Sequence, residues 1–407
     1  MKVLLINKYF YLKGGAEKHF FSVRKMLQTH GFEVVDFAMQ DKNNLPSATE
    51  KYFVSPVAAA KIFSFSSLKT LGRLLWSFEA RKKIKKLIQK ERPQIAHLHN
   101  IYHQISPSIL PILKKNKIPV IMTVHDFALI SPSINMFANG QIYDKIIGRR
   151  YYRCLKDRCV KGSFWLSLAA VLEMYFHHKI LNIYQKNIDF FICPSSFLAK
   201  MLIRAGFDKN KICVLPNFVE VEQVLPTTNN EKYLLYFGRL SAEKGIHVLL
   251  EAMKNIPEVK LKVVGTGPEE SNCQLKIKKD KLKNVELLGY QSGTDLSKLI
   301  ANSYAVVVPS VCYENCPLSI LESLAFGKPV IASAIGGIPE LIINNDNGLL
   351  VKAGEPTVLS AALKNIWLDE VKHNQVAARA QETSSQYLAD KYFECLFEVY
   401  KKFLCQE

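Results

Sequence analysis

A chain of 407 residues is too long for one comfortable core, so two domains are the starting expectation. With 48% apolar and 22% charged residues it has the composition of a globular protein and not of a disordered or collagen-like one. The formal charge of +18 is carried by one half: residues 1–200 hold 31 Lys and Arg against 12 Asp and Glu, and residues 201–407 hold 23 against 24. Nucleic acid, an anionic membrane surface and a phosphorylated substrate are all compatible with that imbalance, and so is a basic half that only keeps the protein soluble. The opening MKVLLINKYF is too short an apolar run for a secretory signal and reads as a first strand. The longest apolar stretch, residues 164–176, contains Glu173 and falls short of the roughly 20 residues that span a bilayer. Nine scattered cysteines fit a reduced, cytosolic chain better than a disulfide framework.

In chain order, KVLLIN (2–7) reads as a buried strand, followed by a loop with Gly14-Gly15, a helix near 16–29, a break at Gly31 and a strand in FEVVDFA. That is a β-loop-α-β unit of the doubly wound kind. A basic helix over about 74–90 follows, with Ala80, Ile84, Leu87 and Ile88 on one face. Strands fit QIAHLH (94–99), PVIMTVH (119–125) and IDFFICP (188–194). Residues 140–181, basic early and apolar later, look like an insertion, facing either a membrane or acceptor or an ordinary core. A second alternating series starts after 214–220, with strands in KYLLYFGRL, VKLKVVG, VELLG, YAVVVPS, KPVIAS and GLLV and a helix at 244–255. The linker is expected near 212–230, where TTNNE (227–231) is turn-rich. The expected class is therefore α/β, with two Rossmann-like doubly wound parallel-sheet domains facing a cleft: residues 1–212, residues 213–385, and a C-terminal helix, 386–407, that packs back on the first.

In open parallel sheets, ligands collect at the carboxyl ends of strands. Arg239 follows a strand and Lys244 precedes a helix, so two cations and a helix start converge as an anion site. Gly265 and Gly267 in VVGTGPEE flank a strand-to-helix turn that permits close backbone approach. In YENCPLSILESLAFG, Glu314 lies in a loop and Glu322 in a helix over 318–327, with Pro317 suited to the helix start. Carboxylates accept hydrogen bonds from paired hydroxyls, and helix N–H groups suit phosphate. The spacing fits a ligand with a hydroxyl-bearing ring at each end of a diphosphate.

Arg239, Lys244, the E-x7-E pair Glu314 and Glu322, and GGIPE (336–340) together resemble the retaining glycosyltransferases of the GT-B fold, family 4, which use nucleotide-diphosphate sugars. The resemblance implies that Glu322 holds the ribose hydroxyls and Glu314 the donor sugar, with backbone groups around Cys316 and Leu318 on the phosphate. Arg239 and Lys244 would stabilise the leaving diphosphate, so no metal or other cofactor is expected. Gly14 and Gly15 look like the family's glycine loop, and His125 in TVHD like the histidine that faces the donor sugar. Asn315-Cys316-Pro317 departs from the small or Gly-containing stretch common after the first Glu, and Pro317 has no N–H to give. No catalytic base is assigned.

The activity that the resemblance implies is transfer from a UDP- or GDP-sugar to a glycan or lipid-linked acceptor, in cell-surface polysaccharide synthesis. The enzyme would be cytoplasmic, held peripherally at the inner membrane face by its basic half, with no nucleic acid as partner. The rival readings are a nucleic-acid-binding protein, which the +19 half motivates, and another enzyme of the same plan such as a nucleotide-sugar epimerase. HLHNIYH and the pair Cys154 and Cys159 are weak metal-site patterns, since neither has ligand spacing with a further partner.

Overall fold

In the computed structural model, residues 1–56, 72–220 and 231–404 are described. The chain divides into two compact units. The first holds Met1–Asn139, Tyr143–Pro216 and the terminal helix from Tyr392; the second holds Asn217–Lys391 with Gly140–Ile142. Most of the linker expected at 212–230 lies outside the described residues.

The first unit is built on a six-stranded sheet. Its strands run, across the sheet, Glu33–Phe37, Lys2–Ile6, Ile95–Leu98, Val120–Thr123, Phe190–Cys193 and Ile212–Val214, each parallel to its neighbour. Strands buried on both faces need apolar residues at every position, which is why they read as unbroken apolar runs. Leu5 pairs with His97, and His97 with Ile121, so a histidine stands in the middle of this sheet. The three-residue strand Ile212–Val214 at the sheet edge has no pattern long enough to detect in the sequence. The basic helix expected over about 74–90 is interrupted: residues 72–75 are helical, 76–77 are not, and the helix resumes at Phe78, where the Ser77 hydroxyl caps it by accepting from the Ala80 N–H. Its Ala80, Ile84, Leu87 and Ile88 are all buried.

The second sheet has the order Val285–Gly289, Leu261–Val264, Leu234–Phe237, Ala305–Val308, Val330–Ser333, Gly348–Val351, again all parallel. Each sheet reverses its winding once. In the first this happens between Lys2–Ile6 and Ile95–Leu98, in the second between Leu234–Phe237 and Ala305–Val308. Crevices open at the carboxyl ends of such strand pairs. The C-terminal helix expected over 386–407 is Ala389–Leu404, preceded by a separate helix, Glu370–Ser384, and a 3₁₀ turn at Ser385–Tyr387. Among the described residues, no helix is long and apolar enough to cross a membrane.

Residues 138–174 carry a small core of their own, made by Tyr143, Ile146, Tyr151, Val171, Met174 and the two cysteines. Here the structure corrects the expectation of free thiols throughout: Cys154 and Cys159 form a disulfide, their Cα atoms 4.9 Å apart. The turn between them is closed by the Cys159 N–H donating to the Cys154 carbonyl, and both cysteines are buried in this small core.

Candidate active site

The second unit's site grows from the ends of its two switch strands. After Leu234–Phe237 the chain passes Arg239 and enters a short 3₁₀ turn, Ala242–Lys244. After Ala305–Val308 it passes Ser310 and reaches Glu314. The two loops are joined by backbone, since the Val311 N–H donates to the Glu243 carbonyl. Lys244 Nζ donates to Glu314 Oε1 at 2.6 Å, and Ser310 Oγ donates to the same oxygen at 2.7 Å. Both of these bonds fall on Oε1; a carboxylate has a second accepting oxygen and an ammonium three donors in all. Burial pushes the Lys244 ammonium toward deprotonation, but Glu314 more than offsets it and its pKa is raised. The cation is therefore secure at neutral pH.

Glu314 is 9% exposed and is pinned from behind. Its carbonyl accepts from the Gly337 N–H at 2.7 Å. Gly336, at φ +62, packs so tightly on the Glu314 backbone that a Cβ would lie 2.3 Å from that carbonyl oxygen. GGIPE thus has a physical task, to hold the loop that carries Glu314. Ser310, at the end of the apolar strand, is the site residue that sequence reasoning passed over.

Arg239 is exposed at the same edge, its carbonyl fixed by the Tyr236 hydroxyl at 2.9 Å. Glu322 lies in the second turn of the helix Leu318–Ala325 and is half-buried. Pro317 takes the N-cap position of that helix and not its first turn, so Leu318 supplies the first N–H. Cys316 is buried, with its thiol pushed up to about 12 by burial, and its carbonyl accepts from Asn217 Nδ2. Its thiol is no nucleophile at neutral pH. Gly265 has a structural reason to be glycine: at φ +132, a Cβ there would lie 1.9 Å from the Gly238 carbonyl oxygen.

The first unit's edge is different in kind. His97 and His99 stack at 4.7 Å, as two residues on one face of a strand should. His99 Nδ1 and His125 Nε2 are 2.8 Å apart, and the His19 ring lies 5.3 Å from that of His125. The terminal helix closes the group: the Tyr400 hydroxyl is 2.7 Å from His97 Nδ1 and the Tyr392 hydroxyl 3.2 Å from His19 Nε2. Burial drives the pKa values of His97 and His125 down to about 3, and those of His19 and His99 well below the ordinary range. His125 keeps some exposure at its rim although its ring is desolvated. All four imidazoles are neutral at pH 7, and the ε nitrogen of His125 is taken by His99. Among the described residues, no group of three His, Cys, Asp or Glu is arranged to hold a metal ion.

Gly14 caps the helix Gly15–Thr29 with extended backbone, and a Cβ there would meet only Glu17 Oε2 at an ordinary 3.7 Å. The protein itself does not require glycine at that position. Asn7 and Asn100 knit the two switch strands, Asn7 Oδ1 accepting from the Asn100 N–H, while Asn100 Oδ1 is buried with no hydrogen-bond partner among the described residues. Polar residues just past two strand ends were the available signal for this pair.

Residues 13–223 match Glycosyltransferase Family 4, and residues 218–383 match Glycosyl transferases group 1. The chain belongs to glycosyltransferase family 4. An uncharacterized glycosyltransferase of Methanocaldococcus jannaschii is 24% identical over 99% of this chain and 98% of its own. The lipopolysaccharide core biosynthesis glycosyltransferase LpsE of Rhizobium meliloti is 28% identical over 52% of this chain and 65% of its own. Among solved structures, Anabaena HepE in complex with UDP superposes with a TM-score of 0.67 at 19% identity, covering 99% of this chain and 100% of that one. The fold of this glycosyltransferase is GT-B, with two Rossmann-like parallel-sheet domains.

Proposed function

We propose that this glycosyltransferase is a retaining enzyme that takes its sugar from a nucleotide-diphosphate donor, UDP-linked in preference to GDP-linked. Its acceptor is a glycan or lipid-linked glycan at the cytoplasmic membrane face, in cell-surface polysaccharide synthesis. The observation that carries the reading is the Lys244–Glu314–Ser310 group at the switch point of the second sheet. A carboxylate with its second oxygen suits a sugar hydroxyl, and an ammonium with its three donors suits a diphosphate. Arg239, exposed at the same edge, adds the second cation, and Glu322 takes the ribose hydroxyls. The helix start at Leu318 offers N–H groups to phosphate, with Pro317 and the buried Cys316 shaping the turn. The preference for UDP is in keeping with HepE, solved with that nucleotide, and the polysaccharide setting with LpsE, which acts in lipopolysaccharide core biosynthesis.

In this reading the bond from the sugar's anomeric carbon to the diphosphate breaks, and the bond to the acceptor oxygen forms on the same face. The acceptor proton passes to the leaving phosphate. No protein base is required, and His125 stays neutral with its ε nitrogen engaged by His99. No metal takes part, because Lys244 and Arg239 supply the positive charge. The basic first half draws the enzyme to anionic lipid. Calorimetric titration with UDP and with GDP tests the donor side. Micromolar binding of UDP that disappears in Glu322→Ala is the expected result; a folded protein that binds neither nucleotide sinks the reading.

A further inference from the structure

The insertion carries a surface that the transfer reaction leaves unexplained. From Phe164 the chain is helical through Met174 and continues without a break as a wider π turn over Tyr175–Ile180. One side of this rod, Ser167, Val171, Met174 and His178, is buried in the first unit. Soluble proteins turn a polar face outward from such a helix. This one does the reverse: Trp165, Leu172 and Ile180 are 54%, 51% and 70% exposed, with Leu168 and Phe176 half-exposed between them. The spacing is one turn each, and the wider last turn keeps Ile180 in the row. The stripe is about 22 Å long at about 1.5 Å per residue.

The charge of the insertion that carries it points to one kind of partner. Residues 144–180 hold eight Lys and Arg against three Asp and Glu. Of the three acids, Glu173 is turned inward, where its carboxylate lies 3.0 Å from His103 Nδ1. Lys145, Arg150, Lys156, Arg158, Lys161 and Lys179 are all exposed. A second copy of the chain would set these cations against each other. An anionic bilayer meets both needs: its headgroups pair with the cations, and its interface accepts Trp, Phe, Leu and Ile.

We infer that the stripe Trp165–Leu168–Leu172–Phe176–Ile180, together with the exposed cations of the same insertion, is a docking face for the surface of an anionic lipid bilayer. It lies on the bilayer without crossing it. This deepens the membrane contact proposed above and rests on that reading. It also gives Glu173 a place in the scheme. The same helix that meets lipid with one face holds, with the other, the His103 loop that follows Ile95–Leu98 at the carboxyl edge of the first sheet. Docking would therefore set that edge at a fixed height above the lipid from which a lipid-linked acceptor projects.

The test is co-sedimentation of the full chain with vesicles of phosphatidylcholine alone or with added phosphatidylglycerol, together with quenching of Trp fluorescence by brominated lipid. The wild type should sediment with the anionic vesicles and show quenching. The double variant Trp165→Ala, Leu172→Ala should partition at least about tenfold more weakly. Arg150→Glu with Arg158→Glu, which leaves the apolar stripe intact, should weaken binding by a similar factor and make it less salt-sensitive. Equal vesicle binding by wild type and both variants overturns the proposal, and so does a wild type that binds neither vesicle. A wild type that is dimeric in the ultracentrifuge, beside a monomeric double variant, also overturns it in favour of a second copy. UDP titration of the same samples keeps the two readings apart. Retained UDP binding with no lipid binding removes the docking face alone, whereas absent UDP binding removes the donor assignment whatever the vesicles show.

Discussion

The two switch-point edges use one scaffold for opposite electrostatics. At the second sheet the polar groups are charged and already paired, Lys244 on Glu314, with the backbone locked from behind by Gly336. At the first sheet they are four neutral imidazoles, stacked and sealed by two tyrosines of the terminal helix. A charged pair is fitted to a ligand whose charge grows during reaction. A desolvated neutral cluster is kept from water by its own packing and carries no charge to offer a ligand. The difference also separates two uses of glycine. In the second unit Gly265 answers a contact within the protein, and in the first Gly14 does not.

The contrast in charge breaks first at Lys244. Lys244→Ala leaves the nearly buried Glu314 without its counter-ion and, in the proposed reaction, removes one of the two cations at the leaving group. Turnover should fall by about 10²–10³-fold, against a folding cost of about 1–3 kcal/mol read from urea denaturation. Wild-type turnover in the variant would remove Lys244 from the site. The contrast in glycines comes next. Gly265→Ala, with its Cβ 1.9 Å from a carbonyl oxygen, should cost more than about 3 kcal/mol or prevent folding. Gly14→Ala should leave the unfolding free energy, read from urea denaturation, within about 0.5 kcal/mol of wild type while lowering transfer by up to about 10²-fold. An active Gly14→Ala enzyme would mean that no ligand approaches there.

Acid should act on the first edge. His97 holds a pKa of about 3 in the fold, below its ordinary 6.5, so between those values the unfolded chain takes a proton that the folded one refuses. Stability is then intact above about pH 6.5 and falls as the pH drops, by about 1.4 kcal/mol per unit for each such histidine. The urea midpoint should decline from about pH 6.5 to about pH 4, and His97→Asn should flatten the decline. The smallest effect expected is that of Tyr400→Phe, which leaves His97 Nδ1 without its hydroxyl. It should cost about 1–2 kcal/mol of stability and leave donor binding unchanged. A loss of UDP binding in that variant would show that the two edges are coupled.

The sequence alone determined the alternation of buried strands and helices, because a parallel sheet needs an unbroken apolar run for each strand and only short segments can supply it. It also placed Arg239, Lys244, Glu314 and Glu322 near strand ends, because loops and helix starts have local signatures. It could not pair Lys244 with Glu314, 70 residues away, or give Glu314 its second donor in Ser310. It read H-x-H as two rings on one face but not as part of a cluster that Tyr400, 303 residues further on, helps to close. Nor did it show that Trp165 and Leu172 face outward, since an apolar helix reads the same whichever face it buries. Local propensity is written in neighbouring residues. Which side chains meet, and which are left exposed, is decided by contacts between distant segments, and those exist only once the sheets have formed.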